Sequence, residues 1–102
     1  MHIILWEFVV PANAQENFKQ AYGPEGDWAR LFRRAEGYLG TELLHSQDKP
    51  DIFLTVDRWQ TATHFERFQD DFAHQYRELD QKLEGISTSE RKIGVFSTID
   101  PI

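Results

Sequence analysis

From its third residue the chain is apolar at odd and even positions alike: Ile3, Ile4, Leu5 and Trp6, then Glu7, then Phe8, Val9 and Val10. Side chains of a strand alternate between the two sheet faces, so this run predicts a strand over 3–10 that is covered on both sides. Pro11 ends it, having no N–H to give to a ladder. A second run, over 38–46, and a third, over 52–59, flank Gln47-Asp48-Lys49-Pro50-Asp51, which is hairpin punctuation. On the third strand Ile52, Leu54, Val56 and Arg58 share one face, and Phe53, Thr55, Asp57 and Trp59 the other. A last strand is predicted over 92–99.

Helical spacing fills the gaps. Over 13–35 the apolar positions fit a helix interrupted at Tyr22-Gly23-Pro24-Glu25-Gly26, with Asn13 as expected N-cap of the first part and Asp27 of the second. Gly37 is expected to close that second part in the left-handed conformation that favours glycine. Phe65, Phe68, Phe72, Tyr76, Leu79 and Leu83 follow at steps of three and four, predicting one continuous helix started by Thr61 or Thr63 and ended by Gly85.

The element order is therefore β-α-β-β-α-β, the ferredoxin-like α+β arrangement with a four-stranded antiparallel sheet, as one domain over 1–102. Right-handed crossovers put the first and third strands side by side with both helices on one face. The other face stays apolar and open, a patch soluble monomers rarely tolerate. A homodimer through the sheet face is the expected cure.

Composition narrows the chemistry. The chain carries 17 Asp and Glu against 11 Lys and Arg, a formal charge of −6, which argues against a nucleic-acid partner. It has no cysteine, so thiolate metal sites, disulfides and cysteine nucleophiles are excluded. The opening apolar run has no basic segment before it and is interrupted by Glu7, unlike a signal peptide. No apolar stretch reaches membrane-span length. A cytoplasmic location without membrane contact is expected. No phosphate loop or nucleophile elbow is present.

Two segments resemble a known family. Gly37-Tyr38-Leu39-Gly40-Thr41-Glu42-Leu43-Leu44 looks like the opening of the second strand in antibiotic biosynthesis monooxygenase domains. Phe53-Leu54-Thr55-Val56-Asp57-Arg58-Trp59-Gln60-Thr61, with Phe65 after it, resembles the family's tryptophan at the end of the third strand before a capped helix. The resemblance implies a dimeric α+β barrel with a pocket between sheet and helices in each subunit. One branch oxidises polycyclic phenols with O₂ and no metal or flavin, the deprotonated substrate supplying the electrons. Its pocket Asn and Tyr would fall on Thr55 and Phe65. A haem-degrading branch would place its strand Asn at Trp6 or Glu7, its helical Trp at Phe68 and its His near His74 or Tyr76.

The expected function is thus cofactor-independent oxidation of a small or polycyclic aromatic, with non-catalytic binding of a small hydrophobic or aromatic ligand as the alternative and haem chemistry behind both. No cofactor and no metal are expected. Trp59 is a core anchor or a pocket wall and catalytic contact; His64, in the first turn of the helix, is a surface residue or a general base. Thr55, Phe65, Tyr38, Trp28 and Tyr22 are the remaining candidates for a substrate pocket, against ordinary packing. Glu7 is expected to pair with a cation, for which Arg58 is available, or to act as a pocket acid. His74, four residues before Glu78, reads as a surface contact or half of a metal pair.

Overall fold

A computed structural model describes residues 1–100. Its elements are β1 (His2–Val9), α1 (Gln15–Tyr22), α2 (Asp27–Phe32), β2 (Tyr38–His45), β3 (Ile52–Trp59), α3 (Ala62–Asp71), α4 (Ala73–Lys82) and β4 (Ser89–Ser97). The strands form one antiparallel sheet in the order β2-β3-β1-β4, the ferredoxin-like α+β topology expected from the pattern.

Register decides which side chains meet. Ile4 pairs with Asp57, Trp6 with Thr55 and Phe8 with Phe53, and these point toward the helices. There Phe8, Val10, Phe18 and Phe53 make one buried cluster, and Ile4, Trp28, Phe32, Trp59 and Phe68 belong to another. On the opposite face Ile3, Leu5, Ile52 and Leu54 are half-buried, while Leu44 and Phe96 are exposed. Both faces of β1 are apolar, but in the single chain only one is covered.

Helix starts depart from the expected caps. Asn13 lies inside a short 3-10 turn (Ala12–Ala14), and α1 begins after Ala14 with no side-chain cap. The turn forms because Ala14 N–H reaches back to the Pro11 carbonyl. Asp27 is the first residue of α2 rather than its cap, which is Gly26; its carboxylate instead pairs with Arg30, one turn on, and with Lys82 of α4. Gly37 does not close α2, which ends at Phe32, but occupies the loop before β2. Thr61 does cap α3, its hydroxyl accepting from the His64 N–H at 3.2 Å.

The long apolar stripe is two helices, not one. At Phe72 the backbone leaves helical geometry (φ −117°, ψ 23°). Asp70 and Asp71 end α3 with negative charge at the negative end of its dipole, a poor place to continue. The break gives α4 its own direction and brings Tyr76 to 4.9 Å from Trp28, ring centre to ring centre. The last strand begins at Ser89, three residues before the expected start, and ends at Ser97. No helix of the described residues is long and apolar enough to cross a membrane.

Candidate functional site

Between the helices and the inner face of the sheet lies a cavity of about 80 Å³. Its sheet side is built by Ile4, Trp6 and Phe8 of β1, Thr41 of β2, and Thr55 and Asp57 of β3. Tyr22, Trp28, Phe32, Phe65 and Tyr76 wall it from the helices. Tyr22, Asp80 and Glu90 also border an outer depression of about 350 Å³, so the two spaces adjoin. The walls are a run of aromatic contacts: Phe8 to Tyr22 at 4.8 Å, Tyr22 to Trp28 at 6.2 Å and Trp28 to Tyr76 at 4.9 Å.

Asp57 is the group of chemical interest. It is the one carboxylate on the inward face of β3, opposite Ile4. Loss of hydration pushes its carboxyl up to about 6, with a hydrogen bond from Thr41 pulling the other way. The Thr41 hydroxyl donates to Asp57 Oδ1 at 2.6 Å, and the Tyr38 hydroxyl lies 2.6 Å from the same Thr41 oxygen. Burial also lifts the Tyr38 phenol, so it is a neutral donor near pH 7. A carboxylate that titrates near 6 is a stronger base than an ordinary one and is still mainly ionised at neutral pH.

The rest of the lining is poor in charge-stabilising groups. Burial pushes the Tyr22 phenol up to about 12, and the neighbouring Trp28 indole N–H offsets part of this. That N–H reaches no acceptor at hydrogen-bonding geometry. Tyr76 is raised by burial too, then by Asp80. Glu90 is raised by burial and by the like charge of Asp80.

The expected site residues separate into two groups. Thr55, Phe65, Trp28 and Tyr22 line the cavity together. Trp59 does not: it is fully buried behind it, with Phe32, Tyr38, Phe65 and Phe68 rings 5.3 to 5.7 Å away and its own N–H without a partner. Tyr38 touches the site only through Thr41. His64 borders a different cleft, formed with Arg34, Arg67 and Asp71, and its Nδ1 is 2.7 Å from the Thr61 hydroxyl. It is not within the cavity.

Other expectations are settled by partners. Glu7 pairs with Arg91 of β4 at 3.2 Å, not with Arg58, which bonds Glu42 of β2. The register explains this: Glu7 stands beside Arg91, whereas Arg58 stands opposite Ile3. His74 pairs with Glu78 on an exposed face of α4. Among the described residues no three His, Cys, Asp or Glu gather as a metal set. Asp57 was legible in principle as the lone acid on an inward strand face, and Thr41 is set opposite it by regular register. Tyr38 was not legible, because an irregularity in β2 turns it inward.

The model of the antibiotic biosynthesis monooxygenase family matches residues 1–78. Among solved structures, a Deinococcus radiodurans protein assigned to antibiotic biosynthesis monooxygenases superposes with a TM-score of 0.76 at 15% identity, covering 100% of this chain and 96% of that one. SnoaB, a cofactor-independent oxygenase from Streptomyces nogalater, does so with a TM-score of 0.72 at 18% identity over 99% and 95%. MhuD, solved with two manganese protoporphyrin IX molecules per active site, gives 0.72 at 15% over 100% and 98%. At these identities the likeness is one of fold. No curated protein matches the chain in sequence. With the family model spanning most of its length, the chain belongs to the antibiotic biosynthesis monooxygenase family.

Proposed function

We propose that the protein is a cofactor-independent monooxygenase of small aromatic substrates, with Asp57 as the base that makes the substrate reactive toward O₂. The observation that carries this is a desolvated carboxylate, raised to about 6, set in an aromatic-walled cavity. A family likeness in fold to a cofactor-independent oxygenase supports it. For a methylene activated by a neighbouring phenol or ketone, Asp57 takes one proton and leaves a delocalised anion. The anion's carbon bonds to O₂, formally giving a peroxide, which recovers the proton from Asp57. Loss of the second C–H proton with O–O cleavage then yields a carbonyl and water. The two C–H bonds supply the four electrons, one oxygen atom enters the product and the other leaves as water.

The walls supply orientation and exclude water, which strengthens the charge interactions within. The cavity is smaller than the ~150 Å³ space that admits benzene in a rigid core. A substrate ring therefore enters edge-first from the outer depression, with some motion of the Tyr22 and Tyr76 walls. Asp80, Glu84 and Glu90 border that depression and, among the described residues, no Lys or Arg does, so neutral or cationic substrates are favoured over anionic ones.

The small cavity favours a second reading, binding of a small ligand without turnover. An oxygen electrode separates the two with a panel of hydroquinones, anthrones and small phenols and no added cofactor. Uptake well above the protein-free rate, cut at least ~100-fold in Asp57→Asn, is expected. Uptake at the protein-free rate with ligand binding intact overturns the catalytic reading in favour of the second. In either case we infer a homodimer built through the outer sheet face, where Ile3, Leu5 and Leu54 are half-buried and Phe96 is exposed.

A further inference from the structure

Tyr38 and Thr41 are three residues apart on β2, and in a regular strand they point to opposite faces. Here they share one. Tyr38 pairs with Trp59 and Gly40 with Arg58, so Leu39 is an extra residue in β2 with no partner in the ladder. Gly40 has a φ of +143°, a conformation that L side chains rarely adopt, and nothing lies within 4 Å of where its Cβ would sit. The glycine is therefore required by the backbone and not by crowding. The bulge turns Tyr38 onto the inner face, and its hydroxyl meets Thr41 at 2.6 Å while Thr41 meets Asp57 at 2.6 Å.

We propose that Tyr38 and Thr41, aligned by the Leu39–Gly40 bulge, are positioning residues that fix the Asp57 carboxylate and direct proton transfer to its second oxygen. Thr41 has one hydroxyl proton, and it is given to Asp57 Oδ1. Tyr38 must then donate to Thr41, which sets the direction of the whole chain. With Oδ1 occupied, a proton drawn from a ligand goes to Oδ2, which has no hydrogen-bond partner among the described residues. The inference rests on Asp57 as the base, but its test does not need turnover.

The groups around Asp57 are Tyr38 and Thr41 from β2, Tyr22 from α1, Tyr76 and Asp80 from α4, and Glu90 from β4. None is a cation, so the hydroxyl chain is what favours the charged carboxylate there. The side-chain carboxyl carbon of Asp57, followed by NMR across pH, reads that directly. Thr41→Val, which keeps the shape and removes the donor, is expected to raise the midpoint by about one pH unit. Thr41→Ser is expected to restore it, and Tyr38→Phe to raise it by about half as much. Gly40→Ala, which the backbone at φ +143° disfavours, is expected to match Tyr38→Phe by taking the Tyr38 hydroxyl away from Thr41. Midpoints for Thr41→Val and Tyr38→Phe that stay at the wild-type value overturn the proposal, as does a Thr41→Ser variant that titrates like Thr41→Val. If these shifts appear while the oxygen electrode records no uptake, the positioning stands and the monooxygenase reading fails.

Discussion

The imidazole of His64 rests on the backbone of Gly37, so closely that a Cβ on the glycine would come within 2.3 Å of the ring. Gly37 also has a φ of +88°, and its carbonyl accepts the Gln60 N–H at 2.7 Å. This contact ties the start of β2 to the first turn of α3 and holds His64 away from the cavity. Gly37→Ala is expected to cost about 3 kcal/mol through backbone strain and overpacking together. Adding His64→Ala removes the ring atoms but leaves the Cβ of residue 64 at 2.6 Å from the new one, so it relieves part of the crowding and none of the strain, and should return about 1 kcal/mol. Urea unfolding of the single and double variants measures both; a double variant no more stable than Gly37→Ala contradicts the packing explanation.

Asp57 gives stability an unusual dependence on pH. Its carboxyl stands near 6 in the folded chain against an ordinary 3.8, raised by burial. Between those values the folded state holds more protons than the unfolded one. Its contribution is therefore most favourable below about 4 and is lost as pH rises through about 6. Two units correspond to up to about 3 kcal/mol. Asp57→Asn should accordingly be more stable than wild type at pH 8, by roughly 1–3 kcal/mol, and nearly equal to it at pH 4. Denaturation midpoints at the two pH values check this, and a destabilised Asp57→Asn at pH 8 contradicts it.

The strands and their faces were legible in the sequence because a period of two survives any packing. The bounds of β3 and the alternation of Phe53, Thr55, Asp57 and Trp59 were both readable. Helix ends were less so. Asn13 and Asp27 are good capping residues, but backbone turns at Pro11 and Gly26 already set where α1 and α2 begin. The split at Phe72 left the spacing of the apolar stripe unchanged and so made no mark on it. Within the site, Trp28 and Tyr22 were recognisable as aromatics near a helix break. The link from Tyr38 to Asp57 was not, since a one-residue bulge reverses the parity on which such assignments rest.

Trp59 and Trp28 are both nearly without exposure and both have unpaired indole N–H groups, yet only Trp28 lines the cavity. Substitution should separate them. Trp59→Phe loses packing but also removes a buried donor that bonds nothing, and the two effects oppose each other. A net change within about 1 kcal/mol is expected, with binding of a cavity ligand unaltered. Trp28→Phe should change ligand affinity by about threefold or more, since it alters the wall itself. Equilibrium titration of one aromatic ligand against both variants decides the matter. Equal losses of affinity would return Trp59 to the binding site.

Leu54 tests the proposed partner. It lies on β3 between Phe53 and Thr55 but points to the opposite face, away from the cavity, and is half-buried in the single chain. Its neighbours across the sheet are Glu7 and Leu44, and with Ile3, Leu5 and Phe96 it belongs to the open apolar face. The pairs Glu7–Arg91 and Arg58–Glu42 also lie on that face, so its charges are already matched within the chain. A second copy can therefore cover the apolar positions without leaving these carboxylates unpaired. Lys at position 54 would put a charge into that interface while remaining solvated in a lone chain, through its long stem. Wild type should sediment at twice the chain mass at micromolar concentration, and Leu54→Lys at the chain mass with its cavity still able to bind ligand. A wild type that sediments at the chain mass removes the homodimer and leaves the apolar outer face of β1 without a partner.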